Sequence, residues 1–470
     1  MVRKIFLILL CMIMLIPVMT SCSSADTVRI GTLTVDKNAE SISLLNSGIT
    51  NLKKLKKLTN LKKLDMAGSQ VESLEGIENL PLLEEVILAG SSVKRIDELS
   101  TLEKLKSVSM MQTEISDISA LAGSRVEKLI ISDNERITDI SATGKMKNLK
   151  TLEIVNSPRI LDFSVIAGAE KLETLKISDS GLFNIDFLKE LNLLTSLELK
   201  ARGIRNPEPL KELKNLKSFS FTGSGIFSDL KIIKELEGLE ELRLNECQIT
   251  DISNISGLTN LKIIDLSFNS IEKTEPLRNL TEIEELNLSS NTKLKDISSL
   301  GKLTKLRVLH LEGCAVEDIS VAENFKKLEE LYINNNKVKS FQAVKNLTLL
   351  KKFFADNCGV SDISSLAKLE KLTHLQLVNN AIEDISPLKG KTHLVQLGLG
   401  NNKFKDVSPL ADMTDLVNLD ISYNKNIKDL HFAEKMTKLS FLNADKTSVT
   451  EEDVAHMRNH LPSCTISCET

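Results

Sequence analysis

LEKLTHLQLVNNAIEDISPLKG, residues Leu369 to Gly390, places Leu at its first, fourth, seventh and ninth positions, Asn at its twelfth and Ile at its fourteenth and seventeenth. A helix asks for apolar residues at i, i+3, i+4 and i+7, and a strand for strict alternation; this stretch follows neither rule throughout. Leu375-Gln-Leu377 alternates as a short strand does, whereas Leu369, Leu372, Ile382, Ile385 and Leu388 step by three. One such unit cannot bury its own apolar side and has to stack on copies of itself.

The copies are present along nearly the whole chain. Eighteen units can be placed, the first at Leu58 and the last at Met436, with starts 21 to 23 residues apart and most of them 22. A partial unit precedes them, with Ile42, Leu44, Ile49, Leu52 and Leu55 at the matching places. This is a leucine-rich repeat array. It predicts an α/β solenoid, a right-handed superhelix with a concave parallel β-sheet. Twenty-two residues are too few for a full helix on every outer face, so the convex side is expected to carry short 3-10 or irregular turns. The domain order expected is a signal peptide over 1–21, a tether over 22–27, an N-terminal cap over 28–41, the array over 42–449 and a C-terminal cap over 450–470.

Composition agrees with a single elongated array rather than several globular domains. Trp is absent and aromatics are only 4%, which suits a core of stacked aliphatic ladders. Loss of residues 1–21 removes Arg3 and Lys4, leaving 58 basic against 64 acidic residues, so the balance gives no sign of nucleic acid as a partner.

The start of the chain speaks for location. MVRK is a short basic region, Ile5 to Met19 is an apolar run too short for a comfortable membrane span, and small residues lead into Cys22. This resembles a bacterial lipoprotein signal, although Met19 stands where such signals usually carry Leu. The resemblance implies that Cys22 becomes the lipidated first residue of an extracytoplasmic protein anchored to a bacterial cell membrane. Ordinary secretion and an uncleaved anchor are the alternatives, and both also place the array outside the cytoplasm.

Two recurring residue patterns read as architecture. Position 12 is Asn at Asn134, Asn269, Asn291, Asn336, Asn380, Asn402 and Asn424, and Cys at Cys247, Cys314 and Cys358. An inward amide there can bond the backbone of neighbouring coils, with Cys as a smaller substitute. Asp-Ile-Ser recurs at Asp117, Asp139, Asp251, Asp296, Asp318, Asp362 and Asp384. A catalytic carboxylate is not repeated this often; a side-chain cap on each outer turn, with the Ile buried, explains it.

Units such as LTNLKIIDLSFNSIEKTEPLRN and MTDLVNLDISYNKNIKDL resemble the 22-residue repeats of the internalin family and related bacterial surface proteins. The resemblance spans roughly Ser41 to Val449. It implies the fold and the habit of binding proteins through the concave face. It does not extend to the family's partners, since no LPxTG-like sorting signal or immunoglobulin-like domain follows the repeats.

Both ends of a solenoid need a cover. VRIGTLTV, Val28 to Val35, alternates well enough for a capping strand. Thr450-Glu-Glu-Asp453 is a capping-box pattern opening a short helix that Pro462 stops, with Val454, Met457 and Leu461 on one face. The tail TSVTEEDVAHMRNHLPSCTI resembles the terminal cap of many bacterial repeat proteins, which implies packing roles for Cys464 and Ile466. His456, His460, Cys464 and Cys468 are four zinc-type ligands close together, but Pro462 interrupts the helix between them and no HExxH accompanies the pair. No metal or cofactor is expected. A Cys464 to Cys468 disulfide stays open.

No phosphate loop or nucleophile elbow occurs, and His310, His374, His393 and His431 are scattered one per repeat, so an enzyme is not expected. Function then falls to the concave sheet, where positions 6, 8, 10 and 11 should face out. Position 8 carries His310, Tyr332 and Phe354 on consecutive strands, about 4.8 Å apart. His374 and Gln376 extend the strip, Asn334, Asn335, Asp356 and Asn357 form a polar rim, and Phe268, Tyr423 and Phe441 also take outward places. Such a cluster is either ordinary cross-strand packing or a protein-binding hot spot. The reading preferred is a monomeric surface module that binds a host or envelope protein, for adhesion or recognition. A passive structural or envelope-assembly element and a glycan binder are the alternatives.

Overall fold

A computed structural model gives the fold over residues 26–223 and 225–469. Cys22 and the signal before it lie outside the described residues. Among those described, no helix is long and apolar enough to cross a membrane. The chain forms two compact units, one up to Arg136 and one from Ile137 onward.

The first unit opens with an antiparallel hairpin, Thr27–Ile30 against Leu33–Asp36, turned at Gly31 with φ 61°. The sequence pattern predicts one strand here. The alternation runs straight through the turn and so conceals it, and only the left-handed glycine marks it. Five strands follow, from Ser41–Ser43 to Lys128–Ser132, each parallel to the next. The second unit holds fifteen more, from Thr151–Val155 to Thr465–Ser467, all parallel and paired in chain order. The repeat sets their register: Leu331 lies beside Leu309 and Phe353, each the seventh residue of its coil.

The strands are three to five residues long because only positions 6 to 10 alternate. Each coil returns through 3-10 turns such as Ser364–Lys368 and Ser386–Leu388. Leu369, Leu372, Leu375, Leu377, Ile382, Ile385 and Leu388 are all at most 1% exposed, so every Leu and Ile of the opening stretch is core. The first place of the next coil is Lys391. Its stem is buried and its ammonium donates to the carbonyls of Ala367 and Leu369 at 3.2 and 3.1 Å, which lets a lysine occupy a leucine position.

Both architectural patterns behave as their chemistry requires. All seven Asp-Ile-Ser carboxylates accept the N–H of the Ser two residues on, at 2.7–2.8 Å. Asn269 donates to the carbonyls of Leu244 and Leu266 and accepts from Cys247 and Ile249 N–H, tying its coil to the one before. Cys314 and Cys358 make the smaller version, each donating its thiol to the preceding coil, at Leu288 and Ile333. Position 11 is a left-handed turn in most coils, at Gly68, Gly90 and Gly313 and also at Asn335, Asn357, Asn379 and Asn401. Gly and Asn tolerate that conformation best, which is why they recur there.

The chain closes with the helix Glu451–His460, whose capping box pairs Thr450 and Asp453 in both directions. Val454, Met457 and Leu461 are buried. Thr465–Ser467 then adds a last strand beside Phe441–Asn443, burying Cys464 and Ile466.

Candidate functional site

Side chains alternate across a strand, so the residues flanking a core position must face solvent. Leu331 and Ile333 are buried at 1% and 0% exposure, while Glu330 and Tyr332 are half-buried on the open face. The register sets His310 beside Tyr332, Tyr332 beside Phe354 and Phe354 beside Gln376. Strand spacing matches ring-stacking distance, and the rings stack. His310 and Tyr332 lie 4.2 Å apart at 5°, and Tyr332 and Phe354 lie 4.9 Å apart at 28°. Both faces of the Tyr332 ring are therefore covered, and the stack offers solvent its edges. Beneath it Phe353 packs edge-on against Phe341, centroids 5.0 Å apart, both fully buried.

The polar ends of the stack are fixed as well. Tyr332 donates its hydroxyl to Glu330 at 2.6 Å, and Lys352 reaches the other oxygen of Glu330 at 3.0 Å. Burial works to raise the Glu330 carboxyl, but the bonds from Tyr332 and Lys352 outweigh it and hold the group below its ordinary range. Burial, and then Glu330, push the Tyr332 hydroxyl up, so it stays a donor. On the far side His310 Nδ1 sits 3.3 Å from Glu312, which also accepts from Ser289 at 2.5 Å. Burial again works upward on Glu312, and these two partners bring it below the usual carboxylate range. Glu312 and Glu330 escaped the sequence reading. Glu330 stands at an outward place two residues from Tyr332, but the bond joining them depends on a side-chain conformation that spacing does not fix.

The expected rim is built differently from the expectation. Asn334 Oδ1 accepts the Asp356 N–H, and Asp356 Oδ1 accepts the Val378 N–H, both at 2.7 Å. These two half-buried groups brace successive coils; burial raises the Asp356 carboxyl despite that bond. Asn335 and Asn357 remain exposed, and the Asn357 side-chain amide donates a hydrogen bond to Asn335 Oδ1 at 3.1 Å. His374 pairs with Lys352 across the strands and shares a 2.9 Å hydrogen bond with Thr373; burial and then the Lys352 charge push its imidazole down. Gln376 lies over Gly398, where a Cβ would run into Oε1, so the place beside it on the next strand carries no side chain. Phe268, Tyr423 and Phe441 are exposed at 61%, 55% and 40% but stand apart from the stack.

The four ligand-type residues of the tail do not converge. Cys464 and Cys468 are free thiols directed at the carbonyls of Thr465 and Val449. His456 instead reaches back to Glu434, 3.0 Å away on the preceding coil.

A parallel sheet with one short strand per 22-residue coil, 3-10 returns and an inward Asn line defines a repeat scaffold that displays a broad sheet face. Residues 237–279, 259–302, 281–324 and 304–346 match the family described as Leucine Rich repeats (2 copies), and the fold of the described residues is the leucine-rich-repeat fold. No curated protein sequence matches it. Among solved structures it is similar to a leucine-rich-repeat protein of Leptospira interrogans, 20% identical over 89% of this chain and 99% of that one, with a TM-score of 0.63. It is also similar to the leucine-rich-repeat ectodomain of the plant membrane receptor kinase GASSHO1/SCHENGEN3 from Arabidopsis thaliana, solved in complex with Casparian strip integrity factor 2. That likeness is 19% identity over 89% and 62% of the two chains, at a TM-score of 0.59. An internalin from Listeria monocytogenes is 25% identical over 83% and 88%, at a TM-score of 0.37, which adds nothing to the fold assignment.

Proposed function

We propose that this leucine-rich-repeat protein is a binding module, displayed outside the cytoplasm and tethered through a lipid on Cys22, that takes a protein partner on the open sheet face around Tyr332. The stack of His310, Tyr332 and Phe354 carries the reading. It is ordered before any partner arrives, so little side-chain freedom is left to lose on binding. Charged groups held by named partners flank it, the arrangement of an anchor with a polar surround.

A protein surface suits it better than a sugar. Glycans bind aromatic residues by lying on ring faces, and here the faces of Tyr332 are taken by its neighbours. The Arabidopsis receptor supports the general idea only through its fold, having been solved with its ligand bound.

The test is capture of partners from envelope and host extracts by the wild-type chain and by Tyr332→Ala and Phe354→Ala. Loss at a hot-spot centre is worth about 2 kcal/mol, roughly thirtyfold in affinity. Equal capture by all three chains would move the site elsewhere. Anchoring is tested separately: Cys22→Ser should leave the membrane fraction or stall in processing, and unchanged fractionation without lipid incorporation into wild type would remove the anchor from the reading.

A further inference from the structure

We infer that the C-terminal end of the array binds one divalent transition-metal ion of the zinc class, through His431, Glu434 and His456, with His460 within reach as a fourth ligand. His431 opens the last 3-10 turn, His431–Ala433, and Glu434 follows it directly. His456 comes from the terminal helix. One ligand atom from each of the three lies within 4.8 Å of the others, and among the described residues this is the one such group. The His456 and His460 rings are 4.3 Å apart, the His431 and His456 rings 4.8 Å. Half of the six histidines in the chain thus meet around one carboxylate.

The hydrogen bonds around the cluster orient the imidazoles as ligands. His431 Nδ1 is 3.3 Å from Asp429, and His460 Nδ1 is 3.0 Å from the His456 carbonyl. With Nδ1–H donating to an oxygen, Nε2 of each ring keeps its lone pair for an ion, the usual outer support of a metal-bound histidine. His456 presents Nε2 toward Glu434. Zinc bonds of about 2.0–2.1 Å in a tetrahedron put ligand atoms about 3.3 Å apart. The His456 to Glu434 separation of 3.0 Å is already close to that, and exposed side chains can bring the others in by rotation. Two or three imidazoles and one carboxylate select zinc and its transition-metal neighbours over magnesium or calcium, which prefer oxygen.

An ion held there would tie the terminal helix to the last outer turn and so fasten the cover over the end of the core. An ordinary ion pair between His456 and Glu434 needs neither His431 nor His460 nearby.

The experiment is calorimetric titration of the full chain, freed of metal by chelation, with zinc chloride. One zinc per chain is expected, with a rise in the thermal unfolding midpoint and no comparable response to magnesium. His431→Ala, on an exposed turn outside the helix, should weaken binding at least tenfold while circular dichroism stays unchanged, and Glu434→Gln should weaken it similarly. Cobalt(II) should give ligand-field bands without sulfur-to-metal charge transfer. Absence of zinc binding, binding that survives both substitutions, or a charge-transfer band assigning the ion to Cys464 or Cys468 would each overturn the site.

Discussion

Asn291 offers a strict test of what holds neighbouring coils together. Its side chain is fully buried, its amide donates to the carbonyls of Leu266 and Leu288 at 3.0 and 2.7 Å, and its oxygen accepts the Ile271 N–H at 2.9 Å. Asn291→Ala removes all three bonds, but the losses are unequal. The Leu266 carbonyl keeps the amide of Asn269, and the Leu288 carbonyl keeps the thiol of Cys314. The Ile271 N–H loses its side-chain acceptor inside the core. An orphaned buried donor costs about 1–3 kcal/mol and each of the two lost bonds with a surviving alternative about 0.5–1.5, so a loss of about 2–6 kcal/mol is expected. Asn291→Cys should do better, because a thiol can donate to Leu266 as Cys314 does to Leu288. Asn291→Asp should do worst at neutral pH, since a buried carboxylate would face two carbonyl oxygens; protonation restores one donor, so its deficit should shrink as pH falls. Urea unfolding followed by circular dichroism gives the order wild type, Cys, Ala, Asp. An Ala variant within about 0.5 kcal/mol of wild type, or an Asp variant above Cys at neutral pH, would refute the reasoning.

Adjacent residues of one strand should separate binding from stability: Leu331→Ala is expected to cost about 2–5 kcal/mol by opening a cavity, whereas Tyr332→Ala removes two stacking contacts on the open face, about 0.5–1.5 kcal/mol each. Comparable falls in the unfolding midpoint would contradict the strand orientation. The turn carboxylates Asp251, Asp296 and Asp362 are held below their ordinary 3.8 by the Ser N–H two residues on, and then by the Ser hydroxyl. A depressed folded value means that the unfolded chain binds protons first, so their stabilisation is complete above 3.8 and lost as pH falls through the folded value. Asp251→Asn, which can still accept the bond but does not titrate, should flatten the acid limb of the stability curve, and an unchanged limb would count against the linkage. Burial pushes the thiols of Cys247, Cys314 and Cys358 up to about 12, 11 and 11. Alkylation at about pH 8 should therefore modify them only on unfolding, and rapid labelling of the native chain would disprove their placement.

The parts of this molecule legible in its sequence are those repeated at a fixed period. Asp117 and its six counterparts, the Asn line from Asn134 to Asn424 and the pairing of His310 with Tyr332 follow from spacing alone, because each coil fixes the geometry of the next. What spacing missed depends on rotamers and on single residues. Tyr332 meets Glu330 through a bond that any of several side-chain conformations could have replaced. Asn334 and Asp356 look free in the alphabet of outward positions, yet each takes a backbone N–H from the following coil. The left-handed conformation at position 11 did leave a signal, the recurrence of Gly, Asn and Asp there, though Phe268 and Tyr423 take it too, at φ 56°.

The thiols on the inner line never occupy adjacent coils. Asn269 follows Cys247, and Asn336 separates Cys314 from Cys358. Neighbouring coils are about 4.8 Å apart, so Cys314 and Cys358 are held at roughly 10 Å. A disulfide needs Cα atoms within about 7 Å. In the oxidising compartment proposed for the protein, correctly stacked coils cannot cross-link along this line, whereas a chain that skips a coil while folding brings these two sulfurs next to each other and can be trapped there. The free-thiol content of a preparation thereby reports on the order in which its coils were laid down.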